Sequence, residues 1–187
     1  MPLADVARFV SELMQATESE YVVIGGVAAS AVGEPRATKD VDVVVLVAPE
    51  KAENLLEAIE HKGLKISRRP EVLRKLKEGK PAKILWDKKF SFDLRLASYG
   101  IDAKALSRSI LIAILKLGVT LRIVSPEDLI VYKLARFEDI DKRDIRGVVR
   151  TTEMLDWPYI VEETNTLAGE IGKPELLVRL AEILTWR

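Results

Sequence analysis

Asp40 and Asp42 are separated by a single valine in the run Asp40-Val41-Asp42-Val43. On an extended chain alternate side chains share a face, so the two carboxylates project together, about 6–7 Å apart along the strand. Val41, Val43 and Val45 take the other face. Two like charges beside an apolar strand repel each other and are costly to desolvate. A divalent cation between them removes that cost; a solvated strand entrance avoids it. For a bare Asp-x-Asp both readings are open.

Three further features bear on the choice. Gly25-Gly26 closes an apolar run and opens a small-residue segment. Glycine at such a point lets a triphosphate approach the backbone, and a helix N-terminus offers N–H donors to it; an isolated pair is also an ordinary turn. The spacing fits neither GxGxxG nor GxxxxGK, so Rossmann and P-loop readings fail. Asp93 lies in Ser91-Phe-Asp-Leu-Arg-Leu96, where Phe92, Leu94 and Leu96 share one face and Ser91, Asp93 and Arg95 the other. If this strand lies beside 41–47, Asp93 joins the first two carboxylates; otherwise it sits on a solvated strand face. Lys133 falls on a helical stripe with Leu129 and Phe137, from which it either snorkels to solvent or reaches a phosphate in a cleft between helix and sheet.

Periodicity places the elements that must hold these residues. Val6, Phe9, Val10 and Leu13 give residues 3–16 one apolar helical face. A buried strand is predicted over 21–24, a small-residue helix over 27–32, and a break at 33–35. A second strand covers 41–47, too apolar to be an edge. Helices are predicted at 50–61, 71–78 and 101–108. Residues 84–86 and 90–97 flank a hairpin turn at 87–89, and 109–115 and 119–124 form another strand pair. Ser125-Pro-Glu-Asp128 reads as a helix start, with Ser125 as N-cap and Asp128 closing a capping box. Helices then follow at 126–137, 139–150, 158–170 and 174–185. The organisation is a mixed α/β part followed by a helical tail: 1–124 as core, and 125–187 packed on it in one compact unit.

Composition narrows the chemistry. With 187 residues, the chain fits one domain with a helical appendage. It has no cysteine and one histidine, His61, so disulfides, thiolate sites and multi-histidine zinc sites are excluded. Carboxylates are left to hold any metal, which favours magnesium or manganese. No apolar run is long enough for a membrane span, and the N-terminus, carrying Asp5 and Glu12, does not read as a signal peptide. The cytoplasm is the expected location. Net charge is zero, yet residues 62–89 hold eleven Lys/Arg against three acids. That segment is either a solvated surface or a basic flank for a polyanion, a nucleotide triphosphate or RNA.

A strand ending in Gly25-Gly26, then thirteen residues, then Asp40-Val-Asp42 resembles the signature of the DNA polymerase β-like nucleotidyltransferase superfamily. Gly25-Gly26-Val-Ala-Ala…Gly33-Glu-Pro-Arg36-Ala-Thr38-Lys-Asp40-Val-Asp42 is similar to its small AbiEii-like branch, as are the stretch from Val124 to Lys133 and Lys142-Arg143-Asp144-Ile145. The resemblance spans roughly residues 20–150. Two positions depart from it: Gly26 stands for a phosphate-contacting Ser, and Gly147 for an Asp common in the branch. The resemblance implies an α+β fold, a nucleotidyltransferase-like mixed sheet flanked by helices with a C-terminal helical tail. It implies a metal-dependent enzyme moving a nucleoside monophosphate from an NTP to an RNA, protein or small-molecule acceptor, in a toxin-like version with an antitoxin-type partner. Asp40, Asp42 and Asp93 would hold Mg2+ or Mn2+ and act in catalysis; Gly25, Gly26, Arg36, Thr38 and Lys133 would bind the nucleotide. Two alternatives stand beside it. One is a catalytically silent nucleotide-binding or interaction module on the same fold. The other is a sugar transferase using Asp-x-Asp, against which the nearby Gly-Gly argues.

Overall fold

The computed structural model describes residues 2–186. Its centre is a six-stranded mixed sheet: β1 Tyr21–Ile24, β2 Asp40–Val45, β3 Ala82–Leu85, β4 Ser91–Leu96, β5 Ile110–Ile114 and β6 Val119–Ile123. The spatial order is β3-β4-β2-β1-β6-β5. β1 pairs antiparallel with β2 and parallel with β6, and β2 pairs parallel with β4. The valine-rich β2 therefore lies in the interior, as its composition requires. β3–β4 and β5–β6 are the two antiparallel hairpins.

Nine helices accompany the sheet among the described residues: α1 Pro2–Ala16, α2 Gly25–Val32, α3 Ala52–His61, α4 Arg69–Lys77, α5 Gly100–Ser107, α6 Pro126–Arg136, α7 Asp139–Thr151, α8 Trp157–Glu170 and α9 Glu175–Leu184. The stripe Val6, Phe9, Val10 and Leu13 is buried throughout. α1 packs on β2 and β6, and Phe9 meets Trp86 edge-on with ring centroids 5.3 Å apart. α2 lies against β1 and β2, and α6 and α7 close over α2. One apolar core joins the sheet to these helices. Its fully buried Phe92, Leu94 and Leu96 come from the predicted inward face of β4.

The predicted elements are present with boundary shifts, one of which has a clear physical cause. α2 starts at Gly25 rather than Val27, because Gly25 turns the chain at φ +66° and passes straight from strand into helix. At Ser125 the capping box is only half made. Ser125 Oγ accepts from the Asp128 amide at 3.1 Å. The Asp128 carboxylate is occupied instead by the hydroxyls of Ser125 and Tyr159. Among the described residues no helix is long and apolar enough to cross a membrane.

Candidate functional site

Parallel pairing of β2 with β4 sets Asp42 opposite Asp93 and Asp40 opposite Ser91. Strand alternation then puts all three carboxylates on one face of the sheet, with Val41, Val43, Phe92 and Leu94 buried on the other. Gly25 and Gly26 line the same cleft. A Cβ on Gly25 would lie 1.8 Å from Asp42 Oδ2, so no other residue fits there without moving that carboxylate. The N-cap of α2, Ile24, gives no side-chain hydrogen bond, and the Gly26 amide is turned onto Asp42.

The electrostatics are unbalanced in the way an acidic site requires. Burial first, then the charges of Asp93 and Asp40, push the Asp42 carboxyl up to about 6, against a backbone hydrogen bond from Gly26 and the charge of Lys133. Burial also raises Asp93; the nearby Lys83 ammonium opposes this and Asp40 adds to it. Asp93 Oδ1 is buried without a hydrogen-bond partner. Lys83 Nζ stands 3.6 Å from that atom and 3.5 Å from Asp40 Oδ2. Among the described residues no group of three or more His, Cys, Asp or Glu side chains is already arranged around an ion position. The donor set nevertheless suits a hard divalent cation: three carboxylates, one buried oxygen unpartnered and one carboxyl held against its own charge.

The cations expected at phosphates are committed elsewhere. Arg36 forms a two-pronged pair with Asp144, Nε to Oδ1 at 2.7 Å and an Nη to Oδ2 at 2.9 Å. Lys133 neither snorkels nor points freely into the cleft. It is buried, with Nζ 2.9 Å from Asp141 and 2.8 Å from Asp144. Arg136 completes the cluster on Asp141. The Thr38 hydroxyl donates to Asp40 Oδ1 at 3.2 Å. It also lies 2.7 Å from where a Cβ on Gly26 would be, so Thr38 fills the space a serine side chain at 26 would enter. A Cβ on Gly147 would lie 3.0 Å from the Glu34 amide nitrogen. An Asp there would require the loop after α2 to give by a few tenths of an ångström.

The cleft holds about 1000 Å³ and runs from the carboxylates past Lys80 and Lys83 to a wall that includes Tyr99, Ile101, Leu167 and Ile171. The basic segment 62–89 borders it through Lys80 and Lys83, but much of its charge is paired. Arg69 meets Glu53 and Glu60, Arg74 and Lys80 meet Glu78, and Lys75 meets Glu71. Arg95, on the site face of β4, is taken by Asp102 with both oxygens. Lys83, beside the carboxylates, is absent from the candidates read from the sequence, as are Arg136 and Asp141. The signal for Lys83 was present: a turn centred on residue 88 pairs 83 with 93, the register observed.

A family model described as "Nucleotidyltransferase of unknown function (DUF6036)" matches residues 2–170. No curated protein sequence matches the chain. Among solved structures, an antigenic nucleotidyltransferase-like protein from Paracoccidioides brasiliensis is similar with TM-score 0.55 at 18% identity, over 96% of this chain and 92% of that one. The antibiotic-resistance factor ANT(2'')-Ia is similar with TM-score 0.50 at 17% identity, over 98% and 91%. At such identities the likeness is one of fold, and the fold is the mixed sheet with flanking helices described above.

Proposed function

The chain belongs to this nucleotidyltransferase family, and from that premise we propose that it transfers a nucleoside monophosphate from a nucleoside triphosphate to a hydroxyl-bearing acceptor in the cleft. The observation that carries the reading is the register of Asp42 against Asp93 over Gly25-Gly26. Asp40, Asp42 and Asp93 are the side chains that would hold Mg2+ or Mn2+. Such an ion, when bound, offsets the charge of the phosphates and of the carboxylates themselves.

The chain's own residues do the rest. Amides at Gly25 and Gly26, at the start of α2, receive the β- and γ-phosphates, Gly26 exchanging its bond to Asp42 for one to phosphate. Thr38 orients Asp40 through its hydrogen bond. Arg36 and Lys133, tied to Asp144 and Asp141, shape the floor of the cleft and would reach a phosphate only by sharing those partners. The acceptor hydroxyl oxygen forms a bond to the α-phosphorus as the α–β anhydride breaks. Pyrophosphate leaves and the hydroxyl proton passes to Asp93, whose Oδ1 accepts no hydrogen bond.

The finer reading follows the sequence motifs. We place the chain in the AbiEii-like branch, with an RNA, protein or small molecule as acceptor, an antitoxin-type partner and action in the cytoplasm. The division into a core at 1–124 and a helical region at 125–187 belongs to the same reading. α6 supplies the wall opposite the carboxylates.

The test is transfer from each α-labelled nucleoside triphosphate, with Mg2+ or Mn2+, to total RNA, to the protein itself and to cell extract. Transfer by the wild type is expected. Asp42→Asn should lower it by about 100- to 1000-fold, the loss seen when one group stabilising transition-state charge is removed. No transfer from any nucleotide to any acceptor overturns the reading. One observation favours the silent binding module instead: both predicted phosphate cations are neutralised by aspartates. Nucleotide and metal binding without turnover would decide for it.

A further inference from the structure

We propose that Lys83 is a resident counter-ion of the carboxylate site, which the divalent cation must displace and which therefore sets the affinity for that cation. The inference rests on the metal-site reading above and adds a residue outside the motifs that suggested it.

The geometry leads to this from the hairpin. β3 is an edge strand whose Ala82 and Ile84 face the core, so Lys83 projects from the opposite, site-bearing face. The antiparallel register sets it against Asp93. From there its side chain spans β4 and brings Nζ between two strands, 3.6 Å from Asp93 Oδ1 and 3.5 Å from Asp40 Oδ2. One ammonium thus serves two carboxylates on the neighbouring strands β4 and β2. The distances are those of ion pairs without short hydrogen bonds. Asp93 Oδ1, buried, has no hydrogen-bond partner at all. Lys83 itself is half exposed, so its ammonium can swing out to water at little cost.

Three carboxylates on one sheet face need positive charge. With no divalent ion bound, Lys83 supplies part of it. A divalent cation entering among the same oxygens meets an ammonium at close range, and the two repel. Binding is then an exchange, in which Lys83 leaves the carboxylates as the metal arrives. Of the other lysines lining the cleft, Lys80 is paired with Glu78 at 2.8 Å.

The experiment is direct titration with Mn2+ alone, free ion read by its EPR signal, on the wild type and on Lys83→Met, Lys83→Arg, Lys80→Met and Asp42→Asn. Lys83→Met should bind Mn2+ about three- to tenfold more tightly than the wild type, the size expected for a half-exposed charge removed at this range. Lys83→Arg should stay near wild type, and Lys80→Met should tighten binding by less than about twofold. Thermal melts give a second readout. Without metal Lys83→Met should melt below the wild type, and saturating Mn2+ should raise its melting temperature more. Equal or weaker Mn2+ binding by Lys83→Met, with binding still lost in Asp42→Asn, overturns the counter-ion role alone. Tightening by Lys80→Met as large as by Lys83→Met reduces it to a general field and overturns it too. No Mn2+ binding by any variant overturns both this inference and the metal-site reading.

Discussion

With Asp93 opposite it and Asp40 two residues away, the Asp42 carboxylate carries a charge that an amide of the same shape would not. Its pKa is pushed up to about 6. A carboxyl whose folded-state value is raised destabilises the fold above that value, and the penalty fades as pH falls toward the unfolded value. At pH 7.5 in EDTA, Asp42→Asn should therefore be more stable than the wild type by on the order of 2 kcal/mol. Added Mg2+ should raise the melting temperature of the wild type and leave Asp42→Asn unmoved. A variant that melts lower in EDTA would show that Asp42 is held for structural reasons. The residue-scale pattern was largely readable from the sequence, since Asp-x-Asp fixes a shared face by strand geometry alone. Lys83 was not read out, although the hairpin turn implied its partner.

At the scale of elements, hydrophobic alternation located the strands and helices because each buries one face on a single core. It could not assign Lys133. A stripe spaced by four marks a buried face but not what faces it, and here the partners Asp141 and Asp144 come from the next helix. The resulting cluster joins three elements: the loop before β2 through Arg36, α6 through Lys133, and α7 through Asp144. Asp144→Ala would leave both cations short of a partner in a buried setting, which costs about 3 kcal/mol when one half of such a group is removed. Urea unfolding followed by tryptophan fluorescence should show that loss, with α7 becoming the first helix to exchange its amide protons. A change below about 0.5 kcal/mol, the range of ordinary surface substitutions, would mean that α7 is held by apolar packing alone.

For the whole molecule, strand order is the part the sequence did not carry. β4 lies next to β2 and β6 next to β1, contacts between segments tens of residues apart that no local pattern encodes. Neighbouring elements are also joined by buried carboxylates whose partners hold them below the usual range. Burial works to raise Asp102, but the two-pronged pair with Arg95, the amide of Ser98 and the hydroxyl of Tyr132 outweigh it. Burial likewise opposes, and is outweighed by, Arg136 and Lys133 at Asp141 and by Arg36 and Lys133 at Asp144. Asp102 links β4 to α5 and α6, Asp141 links α6 to α7, and Asp144 links the loop before β2 and α6 to α7. For a depressed carboxyl the stabilisation is complete above the unfolded value of 3.8 and is lost as pH falls through the lower folded value. Unfolding free energy measured by urea titration should therefore fall steeply only below about pH 4. Replacing Asp102 by Asn should lower stability at pH 6 and flatten that acid limb. An acid limb as steep in Asp102→Asn as in the wild type would place the proton uptake on other carboxylates.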